Sequence, residues 1–156
     1  MLTLIPAGWF SWSYRVLRDG ADLTRIARPW FREQGSFVLE GVRYEVRRTG
    51  WLCGIFALER DGVLLAEATK PSVFRRAFEI SVRDDRLDLR AASPFGRTFG
   101  LWRGSEPLGT VRPVSVWGRT ATADFAAGVA PEVQLFVVFL VLVLWKRAAD
   151  AAAAGS

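Results

Sequence analysis

The sequence predicts a mainly β protein: a closed antiparallel β-barrel of about twelve strands that encloses a hydrophobic C-terminal helix. Three observations lead to this prediction. Apolar and polar residues alternate in short runs, hairpins of similar length repeat along the chain, and QLFVVFLVLVLW (134–145) forms a nearly unbroken apolar segment near the end. Alternation with a period of two is typical of half-buried strands.

The strands are assigned from the alternation and from the breaks between runs. In WFSWSYRV (9–16), Phe10, Trp12, Tyr14 and Val16 fall on one face of a predicted strand. The breaks carry Asp-Gly, Glu-Gly and Asp-Asp pairs, which favour tight hairpin turns. The predicted strands span residues 2–5, 9–18, 21–28, 36–40, 42–48, 51–59, 63–69, 77–83, 86–92, 97–103, 107–112 and 115–124.

An internal repeat supports the hairpins. Three segments share an aromatic start, a glycine-containing turn and a closing proline, and their starts lie 42 and 43 residues apart: YRVLRDGADLTRIARP (14–29), FALERDGVLLAEATKP (56–71) and FGLWRGSEPLGTVRP (99–113). FEISVRDDRLDLRAASP (78–94) is a looser copy. Such a period occurs in propellers, but three copies fall short of the usual minimum of about four blades. True duplication and a meander of equal hairpins both predict a barrel or sandwich.

The apolar segment has two possible locations, inside the protein or across a membrane. The eleven apolar residues from Leu135 to Trp145 would form roughly 16 Å of helix, against a bilayer core of about 30 Å. Pro131 and Glu132 favour a helix start near Ala130. A barrel of about twelve strands has an interior that its own side chains do not fill, and a helix that is apolar on all faces must be buried in protein or lipid. We therefore predict one domain over residues 1–149 with a core helix at about 131–147 and a disordered Ala-rich tail at 150–156; the alternative is a single-pass tail anchor.

The composition excludes several classes of chemistry. The chain has no histidine, so it lacks Ser-His-Asp and Cys-His triads and imidazole zinc sites. The lone Cys53 excludes an internal disulfide framework, favours a reducing, cytoplasmic setting and is interpreted as inert packing. We predict no enzyme, no catalytic residue, no metal and no cofactor. The N-terminus lacks the basic start of a signal peptide, and nineteen Arg against two Lys suggest a GC-rich bacterial genome.

The layout resembles a known group of proteins. Gly-turned hairpins followed by a C-terminal helix that is apolar all round resemble the tubby C-terminal-like superfamily, which includes the phospholipid scramblase and LURP-one-related branch. The resemblance is carried by FALERDGVLLAEATKP, FEISVRDDRLDLR, FGLWRGSEPLGTVRP and PEVQLFVVFLVLVLWKR. It implies a twelve-stranded barrel around the last helix and a binding function, since tubby-type members bind phosphoinositides and are not enzymes.

The two ends of such a barrel differ in charge. In an antiparallel meander the connections after even-numbered strands share one end, and they carry the acidic turns Asp19-Gly20, Glu40-Gly41, Asp61-Gly62, Asp84-Asp85 and Gly104 to Glu106. The opposite end collects Pro-aromatic-Arg loops at 29–32, 71–76 and 94–97, with Arg112 beside them and Lys146 and Arg147 emerging at the helix end. The predicted anion- or lipid-binding residues are Arg32, Lys70, Arg75, Arg76 and Arg97. The predicted interfacial aromatics are Trp30, Phe31, Phe74 and Phe95.

These features predict a non-enzymatic binding module that contacts anionic lipid headgroups or an acidic partner through the basic end. Arg beside an aromatic ring suits a headgroup interface, where the ring lies at the boundary and the cation meets phosphate. In the alternative interpretation the aromatics only close the barrel and the arginines are solvated. The net charge of only +5 argues against a nucleic-acid partner. The protein partner and the oligomeric state are left open.

Overall fold

Twelve strands in one continuous sheet precede a single helix in the residues that the computed structural model describes, which are 1–28, 33–50 and 54–156. The elements are β1 (Leu2–Pro6), β2 (Tyr14–Arg18), β3 (Ala21–Ile26), β4 (Gly35–Leu39), β5 (Val42–Thr49), β6 (Ile55–Arg60), β7 (Val63–Thr69), β8 (Ala77–Val82), β9 (Asp85–Ala91), β10 (Phe99–Arg103), β11 (Glu106–Pro113), β12 (Ala121–Phe125) and α1 (Pro131–Ala154).

The sheet curls into a nearly closed antiparallel barrel. Its strand order is β3-β2-β1-β12-β11-β10-β9-β8-β7-β6-β5-β4, in which β1 and β12 pair with Leu2 opposite Ala123. The outer strands β3 and β4 meet at the isolated bridge between Ala27 and Ser36, whose amides donate to each other's carbonyls at 2.9 and 3.0 Å. The seam between β3 and β4 is therefore the place where the barrel is closed most weakly.

The tight turns arise from residues that accept a left-handed backbone. Asp19 and Gly20 have φ values of 49° and 84°, as the two central residues of a type I′ hairpin turn require. The same pair of positive φ angles occurs at Glu40-Gly41 and at Asp61-Gly62. These turns match the right-handed twist of the strands that they join, so short hairpins follow directly from the sequence.

The helix α1 fills the barrel. Pro131 occupies its first turn, where a missing amide hydrogen has no cost, and Glu132 lies near the positive end of the helix dipole. All residues from 135 to 143 have 0% exposure, enclosed by inward-facing strand residues such as Leu4, Phe56 and Leu89. The predicted barrel with an enclosed helix is thus confirmed. No helix within the described residues combines the length and the hydropathy that crossing a bilayer requires.

Three predicted boundaries were wrong by five residues or more. β2 begins at Tyr14 and not at residue 9, because a hydrogen bond from the Ala7 amide to the Ser13 carbonyl closes residues 8–12 into a loop; Phe10 is consequently 84% exposed and not on the inner face. β12 begins at Ala121 and not at residue 115. The helix continues to Ala154, through most of the tail that we predicted to be disordered, since alanine has the highest helix propensity. Residues 51–53 of the predicted sixth strand, including Cys53, lie outside the described residues.

Candidate functional site

The two ends of the barrel differ as the sequence predicts. Strands alternate in direction, so the connections after β1, β3, β5, β7, β9 and β11 lie at one end together with the C-terminal part of α1. We call this the basic end. The described residues of its connections and of the helix end include Arg28, Lys70, Arg75, Arg76, Arg97, Arg119, Lys146 and Arg147, against Glu33 and Asp150. The opposite, acidic end holds the turns at Asp19, Glu40, Asp61 and Asp84.

The loops of the basic end expose aromatic side chains to solvent. Five described aromatics form this group, which we call the aromatic rim: Trp9 (94% exposed), Phe10 (84%), Phe74 (95%), Phe95 (97%) and Trp117 (96%). They come from the β1–β2, β7–β8, β9–β10 and β11–β12 connections. Every aromatic residue among the large exposed hydrophobics of the described chain belongs to the rim. A cluster of exposed rings at one end of a barrel is the kind of apolar patch that marks an interaction surface.

The rim agrees only partly with the prediction from sequence. Phe74 and Phe95 were predicted as interfacial and belong to it, whereas Trp30 and Phe31 lie outside the described residues. Trp9, Phe10 and Trp117 were missed because the alternation around them placed them in strands. A pattern in the sequence could have identified Trp117: three loops share the motif Ser-x-aromatic-x-Arg, at 72–76, 93–97 and 115–119.

The serine of this motif shapes the loop. The Phe74 amide donates to the Ser72 Oγ at 3.2 Å, and the Gly118 amide donates to the Ser115 Oγ at 2.9 Å. Such side-chain turns cap loops that have no partner strand. They hold the aromatic residue at the tip of the loop, where its ring is surrounded by solvent.

The arginine of the motif ties each loop to the next one around the barrel. Arg76 Nη1 donates to the carbonyls of Pro94 and Gly96 at 3.2 and 2.8 Å. Arg97 Nη1 donates in turn to Val116 and Gly118, both at 3.1 Å. The chain of contacts therefore runs from the β7–β8 loop to the β9–β10 loop and on to the β11–β12 loop.

Arg119 completes this chain of contacts. Its guanidinium donates to the carbonyls of Gly8 at 2.9 Å, Trp9 at 3.0 Å and Ser11, all in the β1–β2 connection. It also lies over the ring of Trp12, at 5.2 Å from the ring centre. Three arginines thus join the four loops that carry the aromatic rim. These hydrogen bonds hold the loops in a fixed arrangement relative to one another.

The predicted cationic residues divide into two groups. Arg76 and Arg97 are half-buried and hold loops together, and burial lowers the pKa of Arg76. Arg75 is exposed, with no side-chain hydrogen bond or ion pair recorded to any described residue, and Lys70 lies at the base of its loop, where Nζ donates to the Val73 carbonyl at 3.4 Å. Arg32 lies outside the described residues. The sequence predicts these residues at one end of the barrel, but its pattern does not distinguish an arginine that bonds a neighbouring loop from one that faces solvent.

A cleft opens inside the ring of loops. It measures about 610 Å³, and its lining comprises Trp12, Tyr14, Arg76, Pro94, Phe95, Arg97, Arg119, Trp145, Ala148 and Ala149. The Tyr14 hydroxyl is buried, and no hydrogen-bond partner for it is present among the described residues. Burial raises the pKa of Tyr14, although the charges of Arg119, Arg97 and Arg28 act in the opposite direction. The hydroxyl therefore stays protonated and can donate.

An acidic residue fixes the helix end beside this cleft. The Glu33 carboxylate accepts hydrogen bonds from Arg147 Nε and Nη2 at 2.6 and 2.7 Å, and Arg48 Nη1 lies 2.8 Å from it. Burial would raise the pKa of Glu33, but the hydrogen bond from Arg147 and the charges of Arg147, Arg48 and Arg28 hold that pKa below its ordinary value. The carboxylate of Glu33 therefore neutralises positive charge of Arg48 and Arg147 near the β3–β4 seam. It does not line the cleft, whose arginines have no carboxylate beside them among the lining residues.

Nowhere in 1–28, 33–50 and 54–156 do three or more Cys, Asp or Glu side chains group in a way that could hold a metal ion. The Asp85 carboxylate receives hydrogen bonds from Arg103 at 2.7 to 3.2 Å. Asp84 lies in the turn between β8 and β9, as predicted.

Comparison with known proteins adds no assignment. No protein-family model, no curated protein and no solved structure matches the chain.

Proposed function

We propose that this protein is a non-enzymatic module that binds the surface of membranes rich in anionic lipid through the aromatic rim and the surrounding cations. The observation that supports this most strongly is the position of the five rim residues, because exposed rings at the tips of neighbouring loops suit the boundary between headgroups and acyl chains. As part of the same proposal, the chain is a bacterial, tubby-like protein of the phospholipid scramblase and LURP-one-related branch, in a cytoplasmic setting with peripheral membrane contact.

Electrostatics adds to the proposal. A basic residue near an anionic surface contributes about 1 kcal/mol to binding, and the basic end carries many more basic than acidic residues. The acidic turns lie at the far end, so the field of the molecule favours one orientation on the surface. Bracing by Arg76, Arg97 and Arg119 keeps the rim in one arrangement, which lowers the ordering cost of binding.

An acidic protein or polymer is the second candidate partner, and the same cations favour it. The aromatic rim discriminates between the two, because rings that are 94 to 97% exposed at four positions contribute to bilayer insertion but little to a purely ionic contact.

The test is cosedimentation with phosphatidylserine-containing vesicles. We expect the double variant Phe74→Ser, Trp117→Ser to lose vesicle binding, whereas Val63→Ser, Leu64→Ser, which removes two exposed apolar residues at the acidic end, keeps it. Both variants should melt like the parent protein. Equal loss in the two variants would contradict an oriented membrane contact. Tight binding to polyglutamate that the rim variant retains would assign the acidic-partner function instead.

A further inference from the structure

The cleft at the basic end has an unusual charge balance. Arg76, Arg97 and Arg119 line it together, yet no carboxylate belongs to its lining, and none of the three forms an ion pair among the described residues. Their described hydrogen-bond acceptors are neutral backbone carbonyls. Like charges that share a cleft without a counter-charge repel one another, so a bound anion would relieve the repulsion.

The arginines keep donors available for such an anion. Arg76 and Arg97 each use only Nη1 in their contacts with the loops, so Nε and Nη2 of both residues have no acceptor among the described residues. Tyr14, which forms part of the lining and is 0% exposed, has a hydroxyl without a partner in the described chain. A carboxylate accepts up to four hydrogen bonds and pairs well with guanidinium groups.

The remaining walls are apolar. They are formed by the rings of Trp12, Phe95 and Trp145 and by the small side chains of Ala148 and Ala149 on the last turns of α1. The two alanines leave the space that a larger residue would fill, and they are exposed, as is Phe95. A volume of about 610 Å³ lies within the range of small-molecule sites.

We propose that this cleft binds a single-chain anionic amphiphile, such as a fatty acid, with the carboxylate beside Arg97, Arg119 and Tyr14 and the chain against the apolar walls. Free inorganic phosphate would leave those walls without a partner, and a polyhydroxylated headgroup would meet too few polar groups. The cleft shares Phe95 with the aromatic rim, but neither Phe74 nor Trp117 lines it. The inference goes beyond the proposed membrane contact and does not require a bilayer.

The experiment measures quenching of tryptophan fluorescence by brominated dodecanoate in vesicle-free solution below its micelle concentration. Trp12 and Trp145 line the cleft, so an occupant should quench part of the emission. The double variant Ala148→Leu, Ala149→Leu fills the cleft and should weaken binding at least tenfold. The matched control Ala152→Leu, Ala153→Leu places the same bulk on exposed helix residues that do not line the cleft, and it should bind like the parent.

Three further binding measurements test the roles of the Tyr14 hydroxyl, the ligand charge and the aromatic rim. Tyr14→Phe should weaken binding severalfold without a lower melting temperature, and the brominated methyl ester, which has no charge, should bind at least tenfold more weakly than the acid. The rim variant Phe74→Ser, Trp117→Ser should keep dodecanoate binding even where it loses vesicles, which separates failure of this inference from failure of the proposed function. Equal binding of acid and ester, equal loss in both double-leucine variants, or displacement of dodecanoate by equimolar inorganic phosphate would each overturn the inference.

Discussion

Arg97 and Trp145 hold each other by two contacts. The indole Nε1 donates to the Arg97 carbonyl at 3.0 Å, and the guanidinium carbon of Arg97 lies 5.0 Å from the centre of the Trp145 ring. The same guanidinium donates to Val116 and Gly118 in the next loop. The pair therefore joins the last buried turn of α1 to two loops of the basic end, and it connects the core to the surface that we propose as functional.

Arg97→Ala should lower the free energy of unfolding by about 2 kcal/mol. It removes two hydrogen bonds from a half-buried charged group and a cation–π contact. Arg75→Ala is the matched control, because Arg75 is exposed, and its cost should stay within about 0.5 kcal/mol. Urea unfolding followed by circular dichroism measures both. Similar values for the two variants would contradict the bracing role.

This contrast shows what the sequence alone could not decide. The Pro-aromatic-Arg loops are visible in the sequence, and the alternation of strand direction placed Arg75, Arg76 and Arg97 at one end of the barrel. Whether a guanidinium faces solvent or the carbonyls of another loop depends on which loops are neighbours and how far apart they lie. Alternation and spacing carry no information on that distance.

The strands were predicted more reliably than the loops. Asp-Gly and Glu-Gly turns require positive φ at two consecutive residues, so local chemistry sets the hairpins before any packing occurs. The strand predicted over Phe10 to Val16 was too long because the alternation continues into a loop, where Phe10 is exposed to solvent. The cleft was not predictable at all, since it depends on how deeply α1 lies in the barrel.

Gly35→Ala should destabilise the protein by about 2 kcal/mol or more. A Cβ at this position would lie 2.6 Å from Phe139 Cε2 and 2.7 Å from the Ala27 carbonyl oxygen, beside the bridge that closes the β3–β4 seam. Thermal unfolding should report a clear drop in melting temperature.

A second substitution distinguishes the steric clash with the Phe139 ring from the clash with the Ala27 carbonyl. Phe139→Leu removes the ring carbon but not the carbonyl, so adding it to Gly35→Ala should cost less than the sum of the two single changes. Strict additivity would show that the helix does not limit space at the seam.

Phe139→Arg should prevent folding, because it buries an unpaired charge where the parent residue is 0% exposed.

Glu33 should make the stability depend on acid pH. Its pKa is lower in the folded than in the unfolded chain, so its contribution is fully present above the unfolded value and is lost as the pH falls through the folded one. We expect the difference in unfolding free energy between the parent and Glu33→Gln to be largest near neutral pH and to shrink as the pH falls below about 4.

Urea titrations at several pH values measure this difference. Subtracting the unfolding free energy of Glu33→Gln from that of the parent removes the contribution of the other carboxylates. Asp22→Asn is the control, because its ion pair with Arg15 is solvent-exposed on both sides. A difference that does not change with pH would contradict the role of Glu33 in fixing the end of α1 through Arg147.

Arg75→Glu should weaken binding to anionic vesicles at low salt. The change shifts the charge of the basic end by two units, which corresponds to about 2 kcal/mol, or roughly 30-fold in affinity. Arg60→Glu makes the same change on an exposed residue beside the Asp61 turn at the acidic end, so it should reduce binding far less. Arg76 and Arg97 are unsuitable for this test because their substitution breaks the loop contacts.

Raising the salt to 1 M shortens the Debye length to about 3 Å and should remove the difference between the parent and Arg75→Glu. Any binding that remains at high salt should then depend on Phe74 and Trp117, and a parent protein whose residual binding ignores both rings would contradict the insertion of the aromatic rim.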